Sequence, residues 1–277
     1  MNKRSLIVNA DDYGMAQPVN RGIIEAARGG ALRATSAMTN APGFDQAMQE
    51  LASSGVALDV GLHATLTWGR PLLTSQEIPT LVDREGRFLK RIDLLGRALT
   101  GRISGDEVYC ELRAQFERLS TKIPSISHVD GHHHCHVFPI IARAVERLAR
   151  EFNVRFVRAP REGLWSPWSW ASVRRLVVAA LPASSPSYWR ARGFRCPDHF
   201  GGFALGAGPK IEKRWRESIM RVPEGVCELM VHPGYYSGAD LYDAGREQEV
   251  KILSDASLAR RIADSGIEIT TFTALPA

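Results

Sequence analysis

The sequence has no apolar run long enough to cross a bilayer. The longest, Leu176 to Leu181, falls well short of the roughly 20 residues a membrane-spanning helix needs. A soluble chain with no stable membrane insertion is therefore expected. Cysteine is scarce: Cys110, Cys135, Cys196 and Cys227 show no CxxC spacing, which excludes a disulfide framework and suits reduced, mostly buried thiols in the cytoplasm. A signal peptide is lacking too. Met1-Asn2-Lys3-Arg4 runs straight into Ser5-Leu6-Ile7-Val8-Asn9-Ala10-Asp11-Asp12, an apolar core too short for a leader and without a small-residue cleavage site. Charge of one sign is not massed anywhere. The net +5, from 35 Lys plus Arg against 30 Asp plus Glu, is scattered, so nucleic acid is not an expected partner. No internal repeat, low-complexity tract or linker marks a boundary. With 44% hydrophobic residues the chain can build one large core, and a single domain over residues 1–277 is expected; the oligomeric state is left open, with a homodimer allowed.

What is present is a recurring pattern of short apolar runs ending in polar residues, most followed by an amphipathic segment, as repeated βα units around a parallel sheet require. Strands are predicted at Ser5 to Asn9, Leu32 to Thr39, Ala57 to His63, Ser127 to His132, Val154 to Arg158, Cys227 to His232 and Ile267 to Phe272. Helices are predicted at Pro18 to Arg28, Phe44 to Ser53, Asp106 to Lys122, Pro139 to Phe152, Lys210 to Arg221 and Glu247 to Ser265. The fourth opens with a proline suited to a first turn. An open doubly wound sheet would show the same alternation. However, chemically able residues sit at the ends of at least four strand candidates, which favours an α/β fold with a distorted (β/α) barrel of about seven parallel strands. Two stretches break the repeat, residues 68–104 and 165–208, and read as loop-rich insertions over the site mouth.

Five of the eight histidines fall in His128-Val129-Asp130-Gly131-His132-His133-His134-Cys135-His136. In an extended segment the period of two puts His128, Asp130 and His132 on one face. His63 follows Val60-Gly61-Leu62, where the glycine permits close backbone approach to a neighbour or a ligand. Asp11 and Asp12 follow an apolar strand, where successive side chains diverge, so one could bind a metal while the other handles a proton. His232 ends another strand candidate and is a candidate general acid. Any one of these could be a capping or hydrogen-bonded core residue; the collection at strand ends points to a site. One carboxylate and two imidazoles leave coordination positions open on a divalent cation, the arrangement hydrolysis uses.

Together Asn9-Ala10-Asp11-Asp12-Tyr13-Gly14, Gly61-Leu62-His63, the histidine run and Met230-Val231-His232-Pro233-Gly234 resemble the YdjC-like carbohydrate deacetylase family, which includes chitooligosaccharide deacetylases. The resemblance implies a distorted barrel and removal of an N-acetyl group from an amino sugar, with release of acetate. It implies Asp12, His63 and His132 as metal ligands, Asp11 as base and His232 as acid, with His128, Asp130, His134 and His136 as supporting residues. It implies Mg2+ as the cofactor, while two imidazoles also suit Zn2+. Tyr13 and Gly131 stand where the family commonly has Phe and Ser, and neither removes a ligand. Residues Ile78 to Asp83 and Asp198 to Gly202 look similar to members linked with hopanoid-associated glycolipids, so the sugar, in a soluble oligosaccharide or on a lipid, is not decided. The Trp-containing basic segment 165–195 could offer an aromatic platform for a sugar ring, or serve as surface loops, a helix or a dimer contact.

Overall fold

The computed structural model describes residues 3–163, 176, 178–203, 205, 210–236, 238 and 243–275. Its centre is β1 (Arg4–Tyr13), buried along its length beyond Arg4. A strand buried on both faces belongs in the middle of a parallel sheet with helices outside. The others are β2 (Ala34–Ala37), β3 (Asp59–Ala64), β4 (His128–Gly131), β5 (Phe156–Val157), β6 (His199–Gly201), β7 (Gly225–Val231) and β8 (Ile267–Ile269). Seven run in the spatial order β5-β4-β3-β2-β1-β7-β6 and curl into a half-barrel, while β8 pairs with β1. All these pairings are parallel. The two ends of the path are partly bridged by Arg195 against Phe156 and Glu162 against Phe200.

Helices flank the sheet: α1 (Gln17–Arg28), α2 (Phe44–Ser53), α3 (Arg91–Leu99), α4 (Gly105–Ser120), α5 (Pro139–Glu151), α6 (Pro186–Arg190), α7 (Ile211–Met220), α8 (Asp243–Leu253) and α9 (Ala256–Asp264). Their starts follow local chemistry: Pro occupies the first turns of α1 and α5, and the Ser104 side chain accepts the Glu107 N–H at the head of α4. Among the described residues no helix is long and apolar enough to cross a membrane.

One expectation is corrected, and the two expected insertions are given their elements. The single helix expected over Glu247 to Ser265 is two, because the Asp255 side chain accepts the Ser257 N–H and caps a new helix there. That local bond competes with continuation of the first helix. The stretch 165–208 is more than loop, since it supplies α6 and β6, and β6 pairs with β7; its residues 164–175, with most of the Trp-rich segment, lie outside the described residues. The stretch 68–104 likewise contains α3.

Strand alternation divides the interior into two environments. On β1, Leu6, Val8 and Ala10 join the large core beneath the helices. The alternate residue Ile7 joins Ala34, Phe156 and Phe272 in a small separate cluster inside the curl. Asn9 and Asp11 continue that inner face upward, as Ser36 follows Ala34, Arg158 follows Phe156 and Asp130 follows His128. The inside is thus apolar at the bottom and polar at the carboxyl ends of the strands. His128 closes the apolar part, stacked on Phe272 with ring centroids 3.9 Å apart. The neighbour that approaches Gly61 is this ring, for a Cβ on Gly61 would lie 2.4 Å from His128 Cε1. We expect Gly61→Ala to destabilise the protein by about 1–3 kcal/mol through overpacking, read as a lower urea midpoint; an unchanged midpoint would show that the stack is not constraining.

Candidate active site

The adjacent carboxylates Asp11 and Asp12 do not diverge as in a regular strand. The register of β1 against β2 shifts between Ala10 and Tyr13, and Asp12 takes a left-handed backbone with φ of 70°. Such irregularities re-aim side chains beside active sites, at a local cost of about 1–3 kcal/mol. As a result both carboxylates reach His63. One cluster of possible ligand atoms comes from Asp12, His63 and His132, another from Asp11, His63 and Asp130, each within 4.8 Å and buried. Asp12 Oδ1 lies 3.4 Å from His63 Nε2 and 3.1 Å from His132 Nδ1. Its Oδ2 accepts from Arg246 Nη2 at 2.7 Å, so one oxygen remains turned toward the imidazoles. His63 Nδ1 donates to Asp130 Oδ1 at 2.7 Å, which leaves Nε2 facing Asp12, the second-sphere pattern of metal-bound histidines. The donor set therefore fits a divalent cation held by Asp12, His63 and His132. Burial opposes charge on Asp12, but His132, His63 and Arg246 hold its carboxyl well below the usual range. Burial also opposes charge on His63, but Asp130 and Asp11 hold its pKa up, at about 10; the concentration of negative charge is what a cation would meet.

Arg158, entering from the end of β5 and fully buried, organises this negative charge. Its Nη1 and Nη2 bind Asp11 Oδ2 and Oδ1 at 2.7 and 2.6 Å. Nη2 also reaches Asp130 Oδ2 at 2.7 Å, and Nε reaches Glu228 Oε1 at 2.7 Å. Burial pushes Glu228 up to about 7 even though Arg158 pulls the other way. Burial also opposes charge on Asp130, yet Arg158 and His63 keep it well below the carboxylate range. Asn9 Nδ2 donates to Asp11 Oδ1 and Ser36 Oγ, both at 2.9 Å, and Ser36 Oγ donates to Asp130 Oδ2 at 2.8 Å.

His232 follows Val231, which pairs with Ala10, so its backbone stands across from Asp11. It is half-buried, and Glu249 Oε2 accepts its main-chain N–H at 2.5 Å. Burial pushes Glu249 up to about 7, against the pull of that N–H and of Arg246. The rest of the histidine run is less chemical than its composition suggests. His132 leaves the strand into a tight turn (His132–Val137) in which His133 and His134 both have φ of 55°. His128 contacts Ser36 and Ser127, His136 Nε2 donates to the Arg158 carbonyl at 3.0 Å, and His134 packs edge-on against Phe200. Burial holds His128 and His136 down at about 4 and His134 well below its usual value; these three are neutral framework. Of the tryptophans in segment 165–195, for which a platform was one of two readings, Trp189 is fully buried, its Nε1 donating to the Ala183 carbonyl.

Sequence reading missed Arg158, Glu228, Arg246, Glu249, Ser36 and Asn9. Parity could have found three of them. Asn9 shares a face with Asp11, Glu228 with His232, and Arg158 ends a strand candidate at the level where the other polar residues sit. Ser36 lay in a recognised strand without a chemical cue, and Arg246 and Glu249 arrive from a helix.

The family model described as YdjC-like protein matches residues 5–264. The carbohydrate deacetylase of Brevibacillus brevis is 36% identical over 280 residues, covering 98% of this chain and 99% of that protein. That of Clostridium beijerinckii is 38% identical, covering 96% and 98%, and the human carbohydrate deacetylase is 30% identical, covering 95% and 88%. A crystallised Enterococcus faecalis protein named for cellobiose-phosphate cleavage superposes with a TM-score of 0.77 at 26% identity, covering 99% of this chain and all of that one.

Removing the Arg158 charge would take from Asp11 its guanidinium partner and from Asp130 and Glu228 one of their donors. Arg158→Met is expected to cost about 3–5 kcal/mol of stability, measured by denaturant unfolding at neutral pH. A loss below about 1 kcal/mol, the scale of a surface ion pair, would show that the carboxylates do not depend on it.

Proposed function

The chain belongs to the YdjC-like family of carbohydrate deacetylases, and on that premise we propose that it removes the N-acetyl group of an N-acetylglucosamine-containing oligosaccharide by metal-assisted hydrolysis. The observation that carries this reading is the buried convergence of Asp12, His63 and His132 beside a separate carboxylate, Asp11. Asp12, His63 and His132 hold the cation, with Mg2+ and Zn2+ both compatible with two imidazoles and one carboxylate. When bound, a divalent cation polarises the acetamide carbonyl and lowers the pKa of water.

The remaining roles fall to side chains of this chain. Asp11 accepts the proton of the attacking water. Arg158 fixes the plane of its carboxylate from both oxygens, and Asn9 takes a further site on Oδ1. A carboxylate has about four acceptor positions, so Oδ2 keeps capacity for a proton. Asp130 fixes the tautomer and orientation of His63. His232 donates a proton to the departing amine, a poor leaving group unless protonated.

The test is acetate release from N-acetylglucosamine oligomers. A chelator should abolish it and added Mg2+ or Zn2+ restore it. His63→Ala should lose bound metal and cut turnover by more than the ~10–100-fold that removal of an outer partner costs, whereas Asp130→Asn should fall within that range. Full turnover by metal-free protein, or by His63→Ala, would overturn the ligand set.

A further inference from the structure

The backbone around His232 is held by one helix from two sides. Glu249 Oε2 accepts the His232 N–H at 2.5 Å and Arg246 Nη1 donates to the His232 carbonyl at 3.3 Å. These residues stand three apart on α8, hence on the same side of the helix. The Arg246 carbonyl accepts the N–H of Gly234 at 3.3 Å. The same guanidinium reaches Asp12 Oδ2 at 2.7 Å. Pro233 has no N–H to contribute, so the polar groups of this loop meet α8 at the peptide units either side of it. Both clamping side chains are buried, where an unmet partner is costly. The neighbouring helix α1 also presses on the loop: a Cβ on Gly22 would come within 2.5 Å of Gly234 Cα.

From this geometry we infer that Glu249 is a positioning residue for proton donation by His232, and that with Arg246 it ties the position of His232 to that of Asp12. The inference rests on the acid role proposed for His232. A carboxylate accepting a main-chain N–H fixes where the imidazole starts from, and a misplacement of about 1 Å in a reacting group can cost ~10²-fold in rate. Glu249 touches neither the ligand atoms nor Asp11 in any contact described above; its influence should fall on the step that needs His232.

Two substrates separate this role from general damage. Acetate release from an N-acetylglucosamine oligomer needs a protonated leaving amine, whereas 4-nitrophenyl acetate expels a phenolate that leaves without one. Glu249→Ala is expected to lower kcat on the amide by ~10²-fold, with KM, bound metal and turnover of the ester retained. Glu249→Gln, which keeps an oxygen able to accept the N–H, should recover most of the loss. His232→Ala should show the same split more strongly. Equal loss on both substrates in Glu249→Ala, or no loss on the amide, would overturn the positioning role. If His232→Ala shows no split, the acid assignment itself falls, and the clamp's purpose with it. Should Glu249→Ala fail to fold, Gly22→Ala displaces the same loop from the α1 side without touching Glu249. It must then show the same selective loss, and an equal loss on both substrates overturns the proposal.

Discussion

The buried guanidinium of Arg158 meets Asp11 from β1, Asp130 from β4 and Glu228 from β7. Three strands far apart in sequence, β1 and β7 adjacent in the sheet and β4 three places from β1, thereby share one cation. Burying carboxylates is expensive unless each is paired and hydrogen-bonded, and here one residue donates to all three. The geometry of the candidate site follows from it: Asp130 orients His63, Asp11 is fixed from both oxygens, Asn9 donates to Asp11 Oδ1 and Ser36 to Asp130 Oδ2. The buried charges are therefore weak evidence for stability as such, since a well-packed apolar interior can be as stable. They are better understood as the means of holding an anionic cluster against which a metal cation and a proton acceptor can be set.

The same interior shows why the candidate site sits at the carboxyl ends of the strands. Alternate residues of each strand point inside the curl, and the inside changes from Ile7, Ala34, Phe156 and Phe272 at one end to charged groups at the other. A βα unit delivers its next loop at that polar end, so Gly131, Val157 and Val231 lead directly into His132, Arg158 and His232. Asp12 is the exception to alternation. Its left-handed backbone lets two consecutive carboxylates serve the same histidine, and this strain is local and tied to a bulge.

Much of this was legible in the sequence. Strand and helix positions followed from apolar periodicity and caps, and the proposed ligand trio came from motif resemblance, with strand-end placement supporting it. Less legible was anything carried by a single residue whose partner is remote. Arg158 reads as an ordinary basic residue closing a short apolar run until its three carboxylates are brought around it. β6 was hidden in a stretch dominated by Trp, Pro and Gly, because a three-residue strand has too little periodicity to register. In the histidine run only His132 was expected as a ligand, with His128, His134 and His136 as supporting residues, and burial lowers the pKa of all three of these. The break before α9 hinged on one capping side chain, Asp255.

On the proposed reading, the interior charge network presents one cation position, bounded by Asp12, His63 and His132. Anomalous diffraction from crystals of the protein loaded with Zn2+ tests it most directly. A single strong interior peak is expected at about 2.0–2.2 Å from an oxygen of Asp12 and a ring nitrogen of each histidine. A principal peak between Asp11 and Asp130, or no interior peak with those three side chains placed as here, would contradict it.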